Sequence, residues 1–235
     1  AFAGDRHQLS LTEIAACAGL DKSTAFRFVY TLEQLGYLDR DPQTRMVRSS
    51  LRLLRFGFAA LNSLELVQVA QPRLKALSDR CGETTNMSIR DGGEIVYVAR
   101  NKTQGILNVG LEIGSRLPVW CTSMGKAQLI DLSPGELRAL LGDGPFPAAG
   151  PKAALDLAAL LCDLEGVRQR GYAVNDEELA AGVRSVAAPV RNGGGAIAAA
   201  INISVPGVRV SREELDTLVW DRLERNPHVG EQSRV

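Results

Sequence analysis

Histidine is almost missing from this chain: there are two in 235 residues, His7 and His228, both near the ends. That shortage removes the usual partner base from any mechanism built on a cysteine or serine nucleophile in the middle of the chain. Cysteine is sparse as well. Cys17, Cys81, Cys121 and Cys162 stand far apart with no Cys-x-x-Cys pairing, which argues against a metal site and for reduced thiols. No catalytic set, metal or cofactor is expected. No apolar run approaches the ~20 residues that span a bilayer, and "AFAGDRHQLS" lacks the apolar core of a secretory signal. A cytoplasmic location without a membrane partner is the expectation. Met is absent from the first position, so the sequence reads as a chain already under way. Net charge is +0, so a basic footprint for nucleic acid has to be local if it exists.

What is present is ordinary globular composition, 45% hydrophobic and 23% charged, enough for one or two domains. In "LSLTEIAACAGLDKSTAFRFVYTLEQLGYLDRD", Ser10 or Thr12 can cap a short helix, and Gly19 supplies a sharp turn. Asp21 or Ser23 can cap a second helix with Phe26, Val29, Leu32 and Leu35 at helical spacing, ended by Gly36. Leu38 and Val47 flank the turn residues Asp41 and Pro42 as a short hairpin. Helix, glycine turn, helix and hairpin is the order of a winged helix-turn-helix.

A helix entering a DNA groove needs polar and basic residues in its first turns. Lys22 and Ser23 suit phosphate, and Thr24 and Arg27 suit base edges. Arg45 and Arg48 on the hairpin suit the backbone beside the groove. The same pattern also fits a helical hairpin with solvated charges.

Residues 50–81 read as two connecting helices, the second capped by Ser63 and kinked or restarted at Pro72. From residue 82 the period changes. "TTNMSIRDGGEIVYVAR" and "VRSVAAPVRNGGGAIAAAINISV" each read as strand, glycine turn, strand. "ILNVGL" and "GYAVN" read as short strands. Helices are expected at 125–130, after Ser133-Pro134, over about 155–170 and from Ser211. This is an α+β domain, mostly antiparallel, with helices on the sheet.

"RLPVWCTSMGKAQL" holds three nucleophile types beside a lysine. The Gly-x-Ser-x-Gly elbow is incomplete, because Cys121 stands two before Ser123. Lys126 reads as a solvated charge behind a structural glycine. A helix N-terminus capped by Thr122 or Ser123 offers unpaired N–H groups that suit a carboxylate. A capped core helix without a ligand fits the same residues.

"IAACAGLDKSTAFRFVYTLEQLGYLDRD" resembles the winged helix of the IclR family of bacterial transcriptional regulators: a Gly-Leu turn, Lys-Ser-Thr, an Arg-containing helix and Leu-x-x-Leu-Gly-Tyr. Against that pattern the family's first helix is largely missing before Leu9. A second signature, "GYAVNDEELAAGVRSVAAPVRN", fits at Glu178, Ser185, Val186, Ala187, Val190 and Asn192. It departs at Asn175, where Asp or Ser is usual, and at Arg191, where an aromatic or His is usual. The resemblance implies a winged helix-turn-helix over 1–49, linker helices over 50–81 and a GAF-like effector-binding domain over 82–235. It also implies operator DNA, a small organic-acid effector and a homodimer or homotetramer as partners. Its pocket positions fall on Ser123, Met124, Asn175, Ser185, Asn202 and Ser204. Arg100, Arg116 and Arg184 are candidate counter-charges. "RLPVWCTSMGKA" with "LRFGFAALNSLELVQVAQPRL" is most similar to the β-ketoadipate-pathway branch, whose members respond to aromatic acids or their ring-cleavage products. The expected function is an effector-responsive regulator and not an enzyme. The alternative is a GAF-like metabolite-binding module or enzyme whose helical arm mediates assembly only.

Overall fold

A computed structural model describes residues 1–2, 7–103 and 110–215. The chain divides into two compact units, Ala1–Glu65 and Leu66–Val235. Of the two helices expected over 50–81, one falls almost wholly in each unit.

In the first unit, α1 spans Leu11–Ala18 and α2 spans Lys22–Gln34. Ser10 caps α1 in a full capping box with Glu13, and Gly19 closes it at φ 65°, a left-handed backbone that glycine adopts without strain. Asp21, not Ser23, caps α2: its carboxylate accepts the N–H groups of Ser23 and Thr24. Strands β1 (Leu38–Arg40) and β2 (Val47–Ser49) pair antiparallel, with Leu38 opposite Ser49. Leu9, Ile14, Val29, Leu38 and Val47 form the core beneath them. A single 3-10 turn at Leu51–Leu53 leads into α3 (Leu54–Asn62). Ser63, expected to begin the next helix, instead ends α3, and its hydroxyl donates back to the Ala60 carbonyl.

In the second unit, α4 (Glu65–Cys81) runs through Pro72 without a break, so Pro72 is not a restart. Six strands follow: β3 (Thr84–Asp91), β4 (Glu94–Asn101), β5 (Arg116–Pro118), β6 (Ala173–Asp176), β7 (Val183–Arg191) and β8 (Ile197–Pro206). They form one antiparallel sheet in the order β5-β4-β3-β8-β7-β6. Between β5 and β6 lie α5 (Ser123–Leu129), α6 (Pro134–Leu141) and α7 (Leu157–Arg170). The expected strand "ILNVGL" falls largely outside the described residues, as does the helix from Ser211 beyond Leu215.

Side chains alternate across a strand, so the sheet has two distinct faces. Val174, Val186, Ile203 and Val205 pack with Leu77 and Cys81 of α4. Ala173, Ala187 and Ala200 pack on the opposite side with Met124 and Ala127 of α5 and Leu160, Leu164 and Val167 of α7. The small alanines on that face let α5 lie close to the strands. Among the described residues no single helix is long and apolar enough to cross a membrane.

Candidate functional site

Strand register builds the floor of a cavity on the α5 side of the sheet. Thr84, Ser204, Ser185 and Asn175 lie side by side on β3, β8, β7 and β6. Two residues along the strands, a second row runs Arg100, Asn86, Asn202, Ala187 from β4 to β7. Polar side chains at alternate strand positions therefore share one face, beside the alanines that seat α5.

Helix α5 closes this floor. Gly125 is the enabling residue: a Cβ there would lie 2.3 Å from the Val119 carbonyl oxygen and 2.5 Å from Thr122 Oγ1. Thr122 caps the helix by accepting the Gly125 N–H, and its own hydroxyl donates to the Pro118 carbonyl at 2.9 Å. That cap takes up one of the N–H groups expected to receive a carboxylate. Ser123 Oγ lies 2.7 Å from Ser185 Oγ, tying helix to sheet.

The resulting cavity has a volume of about 30 Å³, lined by residues that include all six expected positions: Ser123, Met124, Asn175, Ser185, Asn202 and Ser204. It also takes in Thr84, Asn86, Tyr97, Arg100 and Thr122. Sequence reasoning did not place Thr84, Asn86 and Tyr97, although a signal was there. Thr84, Asn86 and Ser88 put polar groups at every second position of β3. Among the three candidate counter-charges, Arg100 lines the cavity. Arg116 instead pairs with Asp91 and Glu94, and Arg184 with Asp176 and Glu177. Among the described residues no carboxylate lines the cavity. Burial pushes the Tyr97 phenol up to about 12, so it stays protonated at neutral pH.

Asn175 is engaged on both sides. Its amide donates to the Cys121 carbonyl at 2.9 Å and accepts the Glu178 N–H at 3.1 Å. Lys126, expected as a solvated charge, is instead 1% exposed. Its ammonium donates to Asp163 Oδ2 at 2.5 Å and to the Glu178 oxygens at 2.7 and 2.6 Å. An unpaired buried ammonium is prohibitively costly, so this placement depends on two acids that lie 37 and 52 residues further along the chain. Cys121 is buried at 0% exposure, and burial pushes its thiol up to about 11, with the Glu178 charge adding to the effect. A thiol so protonated is a poor nucleophile.

The DNA-facing candidates lie on exposed parts of the first unit. Lys22 and Arg27 are exposed on α2. Ser23 is exposed too, but its hydroxyl donates to Asp21 at 2.7 Å. Thr24 is half-buried, with its N–H on the same carboxylate. These bonds hold the Asp21 carboxyl well below the usual carboxylate range, the Thr24 side chain contributing most. On the hairpin, Arg45 is exposed at φ 61°, and Arg48 faces Asp39 loosely at 3.8 Å.

The model of the IclR helix-turn-helix domain matches residues 1–42, and that of the bacterial transcriptional regulator IclR C-terminal domain matches residues 58–223. The chain belongs to the IclR family. It is 34% identical over 217 residues to the Pca regulon regulatory protein of Pseudomonas putida, covering 92% of this chain and 74% of that one. It is 35% identical over 208 residues to the HTH-type transcriptional regulator XynR of Escherichia coli, covering 88% and 82%. It also superimposes with TM-score 0.75 and 26% identity on an IclR homologue from Microbacterium hydrocarbonoxydans complexed with 4-hydroxybenzoate, covering 93% and 90%. This IclR-family chain is thus a DNA-binding transcription regulator with an effector-binding C-terminal domain. A helical arm serving only assembly does not fit a helix-turn-helix match over residues 1–42.

Proposed function

We propose that this regulator senses a small organic acid of aromatic catabolism in the cavity between α5 and the sheet. The observation that carries the proposal is the lining: among the described residues it holds one arginine, three amides, several hydroxyls and no carboxylate. Such a wall favours an anion over a cation or a neutral molecule. The likeness to the Pca regulon regulator and to the 4-hydroxybenzoate complex supports an aromatic acid or a ring-cleavage product.

The cavity volume of about 30 Å³ is on the scale of one water molecule. A ring-sized acid enters only if α5 or the β6–β7 connection moves outward. A ligand that binds the opened arrangement better than the closed one shifts the population between them. In this reading that shift changes the DNA affinity of the helix-turn-helix. Lys22 and Ser23 hold phosphate, Thr24 and Arg27 face base edges, and Arg45 and Arg48 grip the backbone beside the groove.

A homodimer or homotetramer presents two recognition helices to two half-sites. Leu51, Leu54, Phe56 and Phe58 are all exposed in the first unit, which supports burial of that segment against a second copy. The regulator acts in the cytoplasm, where its four free thiols stay reduced.

The test is a thermal-shift panel of aromatic acids, ring-cleavage acids and their uncharged amides, followed by gel shifts on a selected operator. Acids are expected to stabilise the chain and change operator binding. A panel in which amides stabilise as well as acids do would overturn the reading.

A further inference from the structure

Two cavity-lining residues are left incomplete by the fold. Asn86 is 2% exposed, and its amide donates to Asn202 Oδ1 at 2.8 Å, yet its own Oδ1 has no partner among the described residues. Arg100 donates through Nη1 to the Leu111 carbonyl, while its buried Nε has no partner among the described residues. The neighbouring hydroxyls differ: Ser123 pairs with Ser185, and Thr122 with Pro118 and Gly125. Asn86 and Arg100 face each other directly across β3 and β4. Buried polar groups in native proteins nearly always have partners, so each exception asks for one.

The two orphaned atoms ask for opposite things. Asn86 Oδ1 is an acceptor and needs an O–H or N–H. Arg100 Nε is a cationic donor and needs an acceptor, best of all a carboxylate. We propose that Asn86 and Arg100 are the ligand-orienting pair of the cavity, Arg100 receiving the carboxylate of the effector and Asn86 receiving a hydroxyl on the same molecule. The effector is therefore a hydroxy acid, and a plain acid or an ether of the same shape is discriminated against. This rests on the organic-acid reading above and narrows it.

A simple acid leaves Asn86 buried and unpaired. A methoxy acid does the same and adds a methyl group where the donor hydrogen belongs. Sites that bond a ligand hydroxyl reject analogues lacking it far more strongly than apolar pockets reject a missing methylene. Among the described residues no acid lines the cavity, so an amine has no counter-charge there, and the donor is a hydroxyl.

The test is calorimetry on the full chain with two matched series. One is benzoate, the three hydroxybenzoates, their methoxybenzoates and their amides. The other is propionate, 2-hydroxypropionate and 2-methoxypropionate. In the wild type, one hydroxy acid is expected to bind at least about tenfold tighter than both its parent acid and its methyl ether. That comparison needs no variant, so it stands even if a substitution impairs folding. Asn86→Ala is expected to abolish the hydroxyl preference while leaving the parent acid within about twofold. Arg100→Met is expected to abolish the preference for acid over amide, and Arg100→Lys to restore part of it. Acids that bind without hydroxyl discrimination overturn the pair and leave the organic-acid reading standing. A hydroxyl preference that survives Asn86→Ala also overturns it. If no acid in either series binds, both readings fall together.

Discussion

Ser123 on α5 and Ser185 on β7 share a hydrogen bond of 2.7 Å between hydroxyls 62 positions apart in the chain. Both are buried, at 1% and 4% exposure. The pair holds the helix against the sheet at the cavity wall.

Ser123→Ala removes one half of that bond and leaves Ser185 buried without it. The expected cost is about 1–3 kcal/mol of stability, with a changed effector affinity and unchanged DNA affinity in the absence of effector. Calorimetry and gel shifts check both parts. Normal effector affinity in a folded variant would remove Ser123 from the cavity wall.

Gly125→Ala tests the close approach of α5. Alanine favours an exposed helix over glycine by ~1 kcal/mol, but here its Cβ would sit 2.3 Å from a backbone oxygen. Urea unfolding is expected to show a loss of about 3 kcal/mol, with weakened effector binding as α5 is pushed out. A more stable variant would mean that the helix does not lie so near Val119.

Lys22→Ala is expected to weaken DNA binding across all sequences and reduce the salt slope by about one. The residue sits exposed at the start of α2, the position proposed to take phosphate. A slope identical to the wild type takes Lys22 out of the phosphate contacts.

Glu178→Gln isolates the buried cluster around Lys126. Burial raises the Glu178 carboxyl above its ordinary 4.5, and the Asp163 charge adds to that; the Lys126 ammonium opposes both. A raised folded value means that the native state holds the proton more tightly. Its stabilising contribution is then complete below 4.5 and is lost as pH rises through the folded value. The wild type should therefore lose stability relative to Glu178→Gln as pH rises, read by denaturant unfolding at a series of pH values from about 4 to 8. The opposite slope would show that Lys126 outweighs burial and lowers the Glu178 value.

The elements were readable because their signals are local. Ser10 with Glu13, and Ser133 with Glu136, form capping boxes whose partners lie three residues apart. The Gly92-Gly93 turn between β3 and β4 is equally local. Arg100 and Lys126 were harder, because nothing near them in sequence says whether a long cationic side chain meets water or a carboxylate. Asn86 was missed for a related reason. Alternation shows that Thr84, Asn86 and Ser88 share a face, but not that the face looks into a cavity.

The sequence by itself therefore determined the order of elements and the family, since caps, turns and periodicity act over a few residues. Only the tertiary structure decided which polar residues converge. Strand order β4-β3-β8-β7 sets Arg100 beside Asn86 and Asn86 beside Asn202. The bare Cα of Gly125 then lets α5 descend onto that row and bring Ser123 to Ser185. Register and close packing depend on contacts between distant segments, and no local pattern carries them.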